Sequence, residues 1–213
     1  MLLHQVGPPR TWARMPRLLI VVALALPSLA RAATWNLDPA HTSVQFSVRH
    51  LMVSTVRGAF GKLSGTVQVE EKDLTRSKIQ ATIDAASIDT RVEKRDTHLK
   101  SPDFLDVARY PTIVFVSKKV EAGAPGHFKV IGDLTLHGVT REVSLDVEGP
   151  TPEIKDPRGN TRAGAQATTT INRKDFGLTW NKALEAGGML VGEDVTINLE
   201  LELGQKGPAT AAK

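Results

Sequence analysis

The stretch VTINLELEL, residues 195–203, alternates apolar and polar side chains without a break. From Val195 to Leu203 every odd-numbered residue is aliphatic, and every even-numbered residue is polar or charged. Successive side chains of a β-strand point to opposite faces, whereas those of a helix repeat about every 3.6 residues. The stretch therefore predicts a strand with one face in an apolar core and the other in water.

Seven other segments show the same alternation or a strand-like composition. They are residues 43–50, 66–70, 78–85, 112–117, 128–136, 142–148 and 164–171. His137 and Gly138 follow one of them, and a two-residue connection that contains Gly is typical of a tight hairpin. One-sided strands without interleaved helices cannot form a parallel sheet that is buried on both faces. We therefore expect an all-β fold in which eight antiparallel strands close into a barrel or stack as a sandwich.

One helical insertion is expected between the third and fourth of these strands. Thr90-Arg91-Val92-Glu93 has the pattern of a capping box, in which the Thr90 hydroxyl bonds the Glu93 N–H and the Glu93 side chain reaches back. The helix is expected to continue to about Lys100. A Ser-Pro pair then begins a short turn that carries Phe104.

Residues 1–32 have the composition of a secretory signal peptide. They contain four arginines and no acidic residue, and an apolar run extends from Leu18 to Leu26. The run is shorter than the roughly 20 residues that a membrane-spanning helix needs. Ala30-Arg31-Ala32 has the small-x-small pattern of a cleavage site. We expect cleavage before Ala33, with either Met1 or Met15 as the start.

The rest of the chain is expected to form one domain followed by a short tail. Residues 33–203 contain all the predicted strands and are long enough to bury a core. Residues 204–213 have Gly, Pro and Ala without periodicity, and we expect them to be disordered.

The charge balance changes when the predicted signal is removed. The whole chain has 27 basic and 23 acidic residues, and four arginines lie in residues 1–32, so the remainder carries 23 of each. The basic surplus is therefore no argument for nucleic acid as a partner. The chain has no cysteine, which excludes disulfides, thiolate metal sites and lipidation through cysteine. An exported protein without thiols is typical of an oxidising compartment such as the bacterial periplasm.

Small side chains on the inward parity of the strands indicate space inside the fold. An eight-stranded barrel is filled by its own side chains, or holds one small ligand when the lining is reduced. Alternatively, the helical insertion or the Phe104 turn fills the same space as ordinary core. The small inward residues are Gly65, Ala81, Ala85, Gly132, Ala165 and Ala167.

Titratable residues offer weaker evidence for chemistry. His50 shares the inward parity of strand 43–50 and could bond a ligand head group, although a histidine satisfied at a strand end is the alternative. Asp96 and His98 could form an acid–base pair, but no nucleophile motif accompanies them, and no pair of histidines has helical metal-ligand spacing. We therefore expect no catalytic or metal site, with Asp96 and His98 anchoring the helix to the barrel. The loop 172–177, NRKDFG, is expected to be structural.

An ordered set of motifs resembles the YceI-like family of periplasmic, lipocalin-like polyisoprenoid-binding proteins. The set extends over residues 34–203, and each motif alone is unspecific. The matching segments are Asp38-Pro39-Ala40-His41-Thr42, Val44-x-Phe46-x-Val48-x-His50, Gly58-Ala59-Phe60-Gly61, residues 95–104 (RDTHLKSPDF), residues 110–115 (YPTIVF), residues 132–140 (GDLTLHGVT), residues 171–177 (INRKDFG) and residues 191–195 (VGEDV).

The resemblance implies an eight-stranded lipocalin-like barrel that binds a long isoprenoid or similar amphiphile without catalysis. No cofactor is expected apart from the bound lipid, which would be polyisoprenoid or quinone-like. Ile83 joins the expected lining because it lies on the inward parity of strand 78–85, and His50 is the candidate for the head group. The apolar contacts that the resemblance implies are Phe46, Val48, Phe60, Phe104, Phe115, Leu134, Phe176 and Leu199.

Three functions remain open from the sequence. The first is a periplasmic carrier or reservoir for a long-chain amphiphilic lipid, as a monomer or homodimer. The second is an enzyme that modifies an isoprenoid with His50, Asp96 or His98 as acid–base groups, which requires a titratable group at the bound head group. The third is a quinone-handling partner of a membrane b-type cytochrome.

Overall fold

The computed structural model describes residues 33–185 and 187–205 of the chain. Within these residues it contains twelve β-strands and one α-helix, α1 (Glu93–Lys100). Short 3-10 helices lie at Leu74–Arg76, Ala85–Ser87 and Arg173–Phe176. The strands are β1 (Ala33–Leu37), β2 (Ser43–His50), β3 (Ser54–Phe60), β4 (Leu63–Val69), β5 (Lys78–Asp84), β6 (Ile88–Asp89), β7 (Thr112–Ala122), β8 (His127–Leu136), β9 (Val139–Glu148), β10 (Ile154–Lys155), β11 (Thr161–Asn172) and β12 (Val191–Gln205).

The strands form a closed antiparallel barrel of eight. Three barrel strands are interrupted, so that β1 with β2, β3 with β4, and β5 with β6 each form one strand in two segments. The other five are β7, β8, β9, β11 and β12, and β10 is a two-residue addition beside β11. Strands that are neighbours along the chain are also neighbours in the barrel. The predicted all-β fold is confirmed, and of the two expected packings the barrel is the one that forms.

β12 closes the barrel because it joins the strand before it, β11, to the first strands of the chain, β1 and β2. One edge pairs with β11 from Thr161↔Gln205 to Asn172↔Asp194. The other edge pairs with β2 over its first part and with β1 near its end, at Leu37↔Leu203. The stretch with the clearest alternation in the sequence therefore forms the strand with the most extensive pairing.

A tight turn joins β8 to β9 where the sequence predicts one. His137 has φ 52° and Gly138 has φ 72°, and Leu136 pairs with Val139 across them. Left-handed conformation at both central residues is typical of a type I′ turn. A Cβ on Gly138 would lie 2.4 Å from the Tyr110 ring, so this position requires glycine.

The start of α1 differs from the predicted capping box. The helix begins at Glu93 after Val92, and no side chain caps it. Thr90 bonds Asp96 instead, because the Thr90 N–H donates to Asp96 Oδ1 at 2.9 Å and the Thr90 hydroxyl donates to the same oxygen. Arg95 Nε donates to the Thr90 hydroxyl at 2.7 Å. The predicted capping box is therefore wrong, since the N-cap position is Val92 and Thr90 lies two residues before it.

Two predicted segments fall mainly outside the described residues. The predicted signal, residues 1–32, lies entirely outside them, and β1 begins at Ala33. β12 continues through Gln205, two residues into the predicted tail, and residues 206–213 lie outside the description. Within the described part of the chain, none of the helices combines the length and the apolar character that a membrane crossing requires.

Candidate functional site: an apolar cavity inside the barrel

The barrel encloses a cavity of about 360 Å³ that is lined almost wholly by apolar side chains. All eight barrel strands contribute to the wall, and so do α1, through Leu99, and the following turn, through Phe104. A volume of roughly 300–1,000 Å³ is usual for sites that bind small molecules. The interior can therefore hold an apolar molecule.

Most of the predicted lipid-binding residues line this cavity. His50 and Phe176 do not: His50 ends β2 opposite Val191, and Phe176 is 1% exposed in the core beside the cavity. Phe176 is the last residue of a 3-10 helix, where inward and outward positions no longer alternate. The predicted residues that do line it are Phe46, Val48, Phe60, Ile83, Phe104, Phe115, Leu134 and Leu199.

Five of the six small inward residues divide into two groups. Ala81, Ala165 and Ala167 line the cavity and leave it open. Gly65 and Gly132 instead make room for neighbours, because a Cβ there would lie 2.7 Å from Leu37 and 2.6 Å from the Phe115 ring. Small side chains therefore create space in one place and admit large side chains in another. Ala85 lies in the buried cluster next to α1.

The end of the barrel near α1 is closed by packed side chains. Phe104 packs against Trp180 at 5.1 Å between ring centroids, and His98 lies edge-on to both rings. Leu99 and Leu105 line the cavity at this end. Both alternatives of the sequence analysis therefore hold in part, since the Phe104 turn fills one end of the barrel while the space behind it stays open.

Trp35 lies at the opposite end of the barrel, where it is 5% exposed and packs with Ala163 and Leu203. Leu74 of a 3-10 helix and Pro150 of the β9–β10 connection also line the cavity there. The cavity therefore extends along the barrel between two ends of different composition. An elongated ligand fits this shape better than a compact one.

Arg173 is the charged residue in the cavity wall, among the described residues. It is 4% exposed, its Nε donates to the Gly192 carbonyl at 2.8 Å, and its Nη1 donates to the Leu178 carbonyl. Its Nη2 is buried without a hydrogen-bond partner. Burial lowers the pKa of Arg173, and the Glu193 carboxylate opposes that effect. Arginine nevertheless stays protonated in proteins, so the wall carries a positive charge.

The sequence analysis missed Arg173, although a signal was available. Positions 165, 167, 169 and 171 all line the cavity, and Arg173 continues their parity beyond the end of β11. The loop that contains it was expected to be structural, and its neighbour Asn172 does have that role, since it accepts a hydrogen bond from the Lys174 N–H. Parity alone would have placed Arg173 inside the barrel.

The candidate acid–base residues bond to protein groups at the surface of the barrel end. Asp96 accepts from Thr90, which ties α1 to the end of β6 as expected. His98 Nε2 lies 2.8 Å from Asp103 Oδ2. Neither residue lines the cavity. The structure therefore gives no geometric support for an acid–base pair that faces a bound ligand.

Asp38, His41 and Glu202 lie close enough together to be considered as metal ligands, with one ligand atom each within 4.8 Å of the others. Arg162 already occupies both carboxylates, because its Nη1 lies 2.6 Å from Asp38 Oδ2 and 3.3 Å from Glu202 Oε1. Its Nε lies 3.1 Å from Asp156 Oδ2. A guanidinium at the centre makes this cluster an ion-pair network rather than a cation site.

Fold and cavity together define a lipocalin-like barrel with an apolar interior. The family model of the YceI-like domain matches residues 35–203. The chain belongs to the YceI-like family, as the motifs indicated.

Three known proteins illustrate the relationship. The UPF0312 protein SAS2572 of Staphylococcus aureus is 39% identical over 168 residues, which cover 79% of this chain and 95% of that protein. The crystal structure of the Campylobacter jejuni YCEI protein has a TM-score of 0.63 and 30% identity, and the match covers 75% of this chain and 90% of that one. A polyisoprenoid binding domain from Saccharophagus degradans has a TM-score of 0.56 and 16% identity, with 82% and 99% covered, which shows a shared fold.

Proposed function

We propose that this protein is a non-catalytic carrier or reservoir that holds one long-chain amphiphile, such as an isoprenoid, inside its barrel. The observation that carries the proposal is the apolar cavity of about 360 Å³ that extends between the Trp35 end and the Phe104 end. Membership of the YceI-like family supports the same function, and so does the fold shared with a domain described as polyisoprenoid-binding.

The energetics favour a ligand with a long apolar chain. Burial of apolar surface contributes roughly 2.5 kcal/mol for each 100 Å² removed from water. Association itself costs about 4–15 kcal/mol, so a ligand must bury several hundred Å² before it binds tightly. An elongated cavity provides that area only to a chain that occupies most of its length. Affinity is then distributed over many side chains, which distinguishes a carrier from an enzyme with a few indispensable groups.

Detergent-free purification from the host, followed by native mass spectrometry, tests the proposal. We expect the protein to carry a co-purifying lipid in a one-to-one complex. The Phe115→Asp variant should lose this lipid, because an unpaired carboxylate in a dry cavity wall costs several kcal/mol or must be protonated. Native lipid on Phe115→Asp, or none on the wild type, would contradict the proposal.

Val114→Asp is the matched control for Phe115→Asp. Val114 is the adjacent residue of β7 and lies outside the cavity lining, between Thr82 and Thr135 of the neighbouring strands. The same new charge there should leave the lipid bound. Lipid content is compared only between variants whose circular dichroism shows the native β-sheet.

The proposal places the protein in the periplasm. It rests on the arginines, the apolar run and the small-residue site of residues 1–32, and on the absence of cysteine from the chain. N-terminal sequencing of the protein from the host's periplasmic fraction should find Ala33 first. Intact Met1 or Met15 on fully soluble protein would contradict the export of this chain.

A further inference from the structure

The cavity is apolar along its length but contains one buried positive charge. Arg173 lies at the end of the barrel where Leu178 and Val191 also line the wall. Among the described residues no carboxylate pairs with it, since the nearby Glu193 is paired with Lys174. The two hydrogen bonds that the guanidinium donates go to backbone carbonyls. A buried charge without a counter-ion is costly, and proteins usually compensate such a charge.

The unpaired atom has a defined position. Nε donates to the Gly192 carbonyl and Nη1 to the Leu178 carbonyl, whereas Nη2 is buried with no hydrogen-bond partner. Each buried donor that lacks an acceptor is destabilising, and native proteins contain few of them. The two carbonyl bonds also fix the plane of the guanidinium, and with it the position of Nη2.

We propose that Arg173 binds the head group of the ligand, and that this head group is an anionic oxygen group, a carboxylate or a phosphate. The inference rests on the proposed function, since it requires an amphiphile in the cavity. The head group then lies at the Arg173 end and the apolar tail points toward Trp35. A carboxylate or phosphate satisfies the Nη2 donor and supplies the counter-ion that the described residues lack.

The test compares three ligands that share a sixteen-carbon chain: hexadecanoic acid, hexadecyl phosphate and hexadecan-1-ol. Calorimetric titration of the purified protein at pH 7.5 should show at least one of the two anions binding at least about tenfold more tightly than the alcohol. A tighter phosphate indicates a prenyl-phosphate type of ligand, whereas a tighter carboxylate indicates a fatty acid. Equal affinity for the alcohol and both anions would overturn the inference and leave the proposed function standing.

Arg173→Gln should remove the preference for the anion and change the affinity for hexadecan-1-ol by less than about threefold. Arg141→Gln is the matched control, because Arg141 is exposed and donates to the Asp175 carbonyl of the same loop but lies outside the cavity lining. It should keep the full preference. If none of the three ligands binds the wild type, the proposed function fails, and the inference fails with it.

Arg173→Gln also removes the hydrogen bonds to two carbonyls, so its ligand affinities are compared only where circular dichroism shows the native fold. A second measurement on the wild type is independent of that requirement. A crystal structure with 16-bromohexadecanoic acid should place the carboxylate within hydrogen-bond distance of Arg173 Nη2 and the bromine toward Trp35. Bromine at the Arg173 end would overturn the inference.

Discussion

At the scale of single residues, Ala167 shows how a small side chain keeps the cavity open. It lies on β11 between Val147 of β9 and Leu199 of β12, it is 5% exposed, and it lines the cavity. A larger residue at this position would extend into unoccupied volume rather than into a packed core. Overpacking normally costs about 1–3 kcal/mol, but an existing cavity removes much of that cost.

We therefore expect Ala167→Leu to fold normally and to bind the co-purifying lipid at least about tenfold more weakly than the wild type. Thr168→Leu, the adjacent residue on the outer face of the same strand, should bind as the wild type does. Lipid affinity by titration and the midpoint of urea unfolding are measured for both variants. Undiminished binding by Ala167→Leu would show that the lipid does not occupy this part of the barrel.

Replacing the histidines should affect lipid affinity less than replacing Ala167. His50 and His98 lie outside the cavity lining, so His50→Ala and His98→Ala should each lower lipid affinity by no more than about tenfold, the size of one lost hydrogen bond. Mass spectrometry of the bound lipid is the second measurement. A chemically different lipid on His98→Ala, with the fold intact, would indicate catalysis and contradict a pure carrier.

At the scale of elements, α1 is held to the barrel by Asp96 rather than by a cap. Asp96 accepts both the N–H and the hydroxyl of Thr90, which is 4% exposed at the end of β6. Arg95 adds a bond from its Nη2 to the Thr90 carbonyl at 2.8 Å. These bonds connect the helix to the strand that precedes it and position the Phe104 turn over the cavity.

We expect Asp96→Ala to lower the free energy of unfolding by about 1–3 kcal/mol, because it leaves two buried donors of Thr90 without their acceptor. Glu93→Ala is the control for the failed capping box. Since no side chain caps the helix, its effect should lie within about 0.5 kcal/mol of zero. Urea unfolding measures both, and a larger loss for Glu93→Ala would restore the capping box.

The strands were largely predictable from the sequence, whereas their interruptions were not. The alternation from Val195 to Leu203 reports burial on one face, which is a local property of the chain. β1 and β3 were not predicted as strands, although the five residues of β1 alternate apolar and polar side chains, and β3 carries mixed polarity. β1 pairs with β12 at the other end of the domain, and local pattern does not contain that information. β3 pairs with β2, the strand directly before it.

The site was predictable to the extent that it follows strand parity. Phe46 and Phe115 lie on regular strands, and parity places them correctly. Phe176 ends the 3-10 helix after β11, where the period of two no longer holds, and it was wrongly placed in the lining. Arg173 still follows the parity of β11, but it was missed because its loop was expected to be structural. The detailed shape of the cavity depends on how loops pack on the barrel ends, which the alternation does not describe.

At the scale of the whole molecule, an ion network holds together segments that are distant in the sequence. Arg162 of β11 binds Asp38 between β1 and β2, Glu202 of β12, and Asp156 of the β10–β11 loop. Asp156 accepts further bonds from Asn160, which together with Arg162 lower its pKa to about 2. The pKa of Asp38 is also lowered, first by the Ala40 N–H and then by Arg162.

These shifts predict how stability depends on pH. A carboxyl group whose pKa is lower in the folded state stabilises the fold above its unfolded value, 3.8 here, and loses this effect as the pH falls toward about 2. The difference in urea midpoint between wild type and Asp156→Asn should therefore be constant from pH 7 to about pH 5. It should narrow between about pH 4 and pH 2.

Asp194→Asn is the matched control, because Asp194 is exposed on β12 and lies outside this network. A difference between wild type and Asp156→Asn that widens as the pH falls would contradict the assigned direction of the shift.

β12 pairs with β11 along one edge and with β1 and β2 along the other, and this pairing affects the order of folding. The other barrel pairs join segments that are closer along the chain, whereas Val44↔Leu199 joins opposite ends of the domain. Pairs of high sequence separation form late, since loop closure must precede them. Before β12 pairs with β2, the inward faces form an open apolar sheet that is prone to aggregate. The cavity therefore forms in the last step of folding, and a partly folded chain has no enclosed volume in which a lipid could be held.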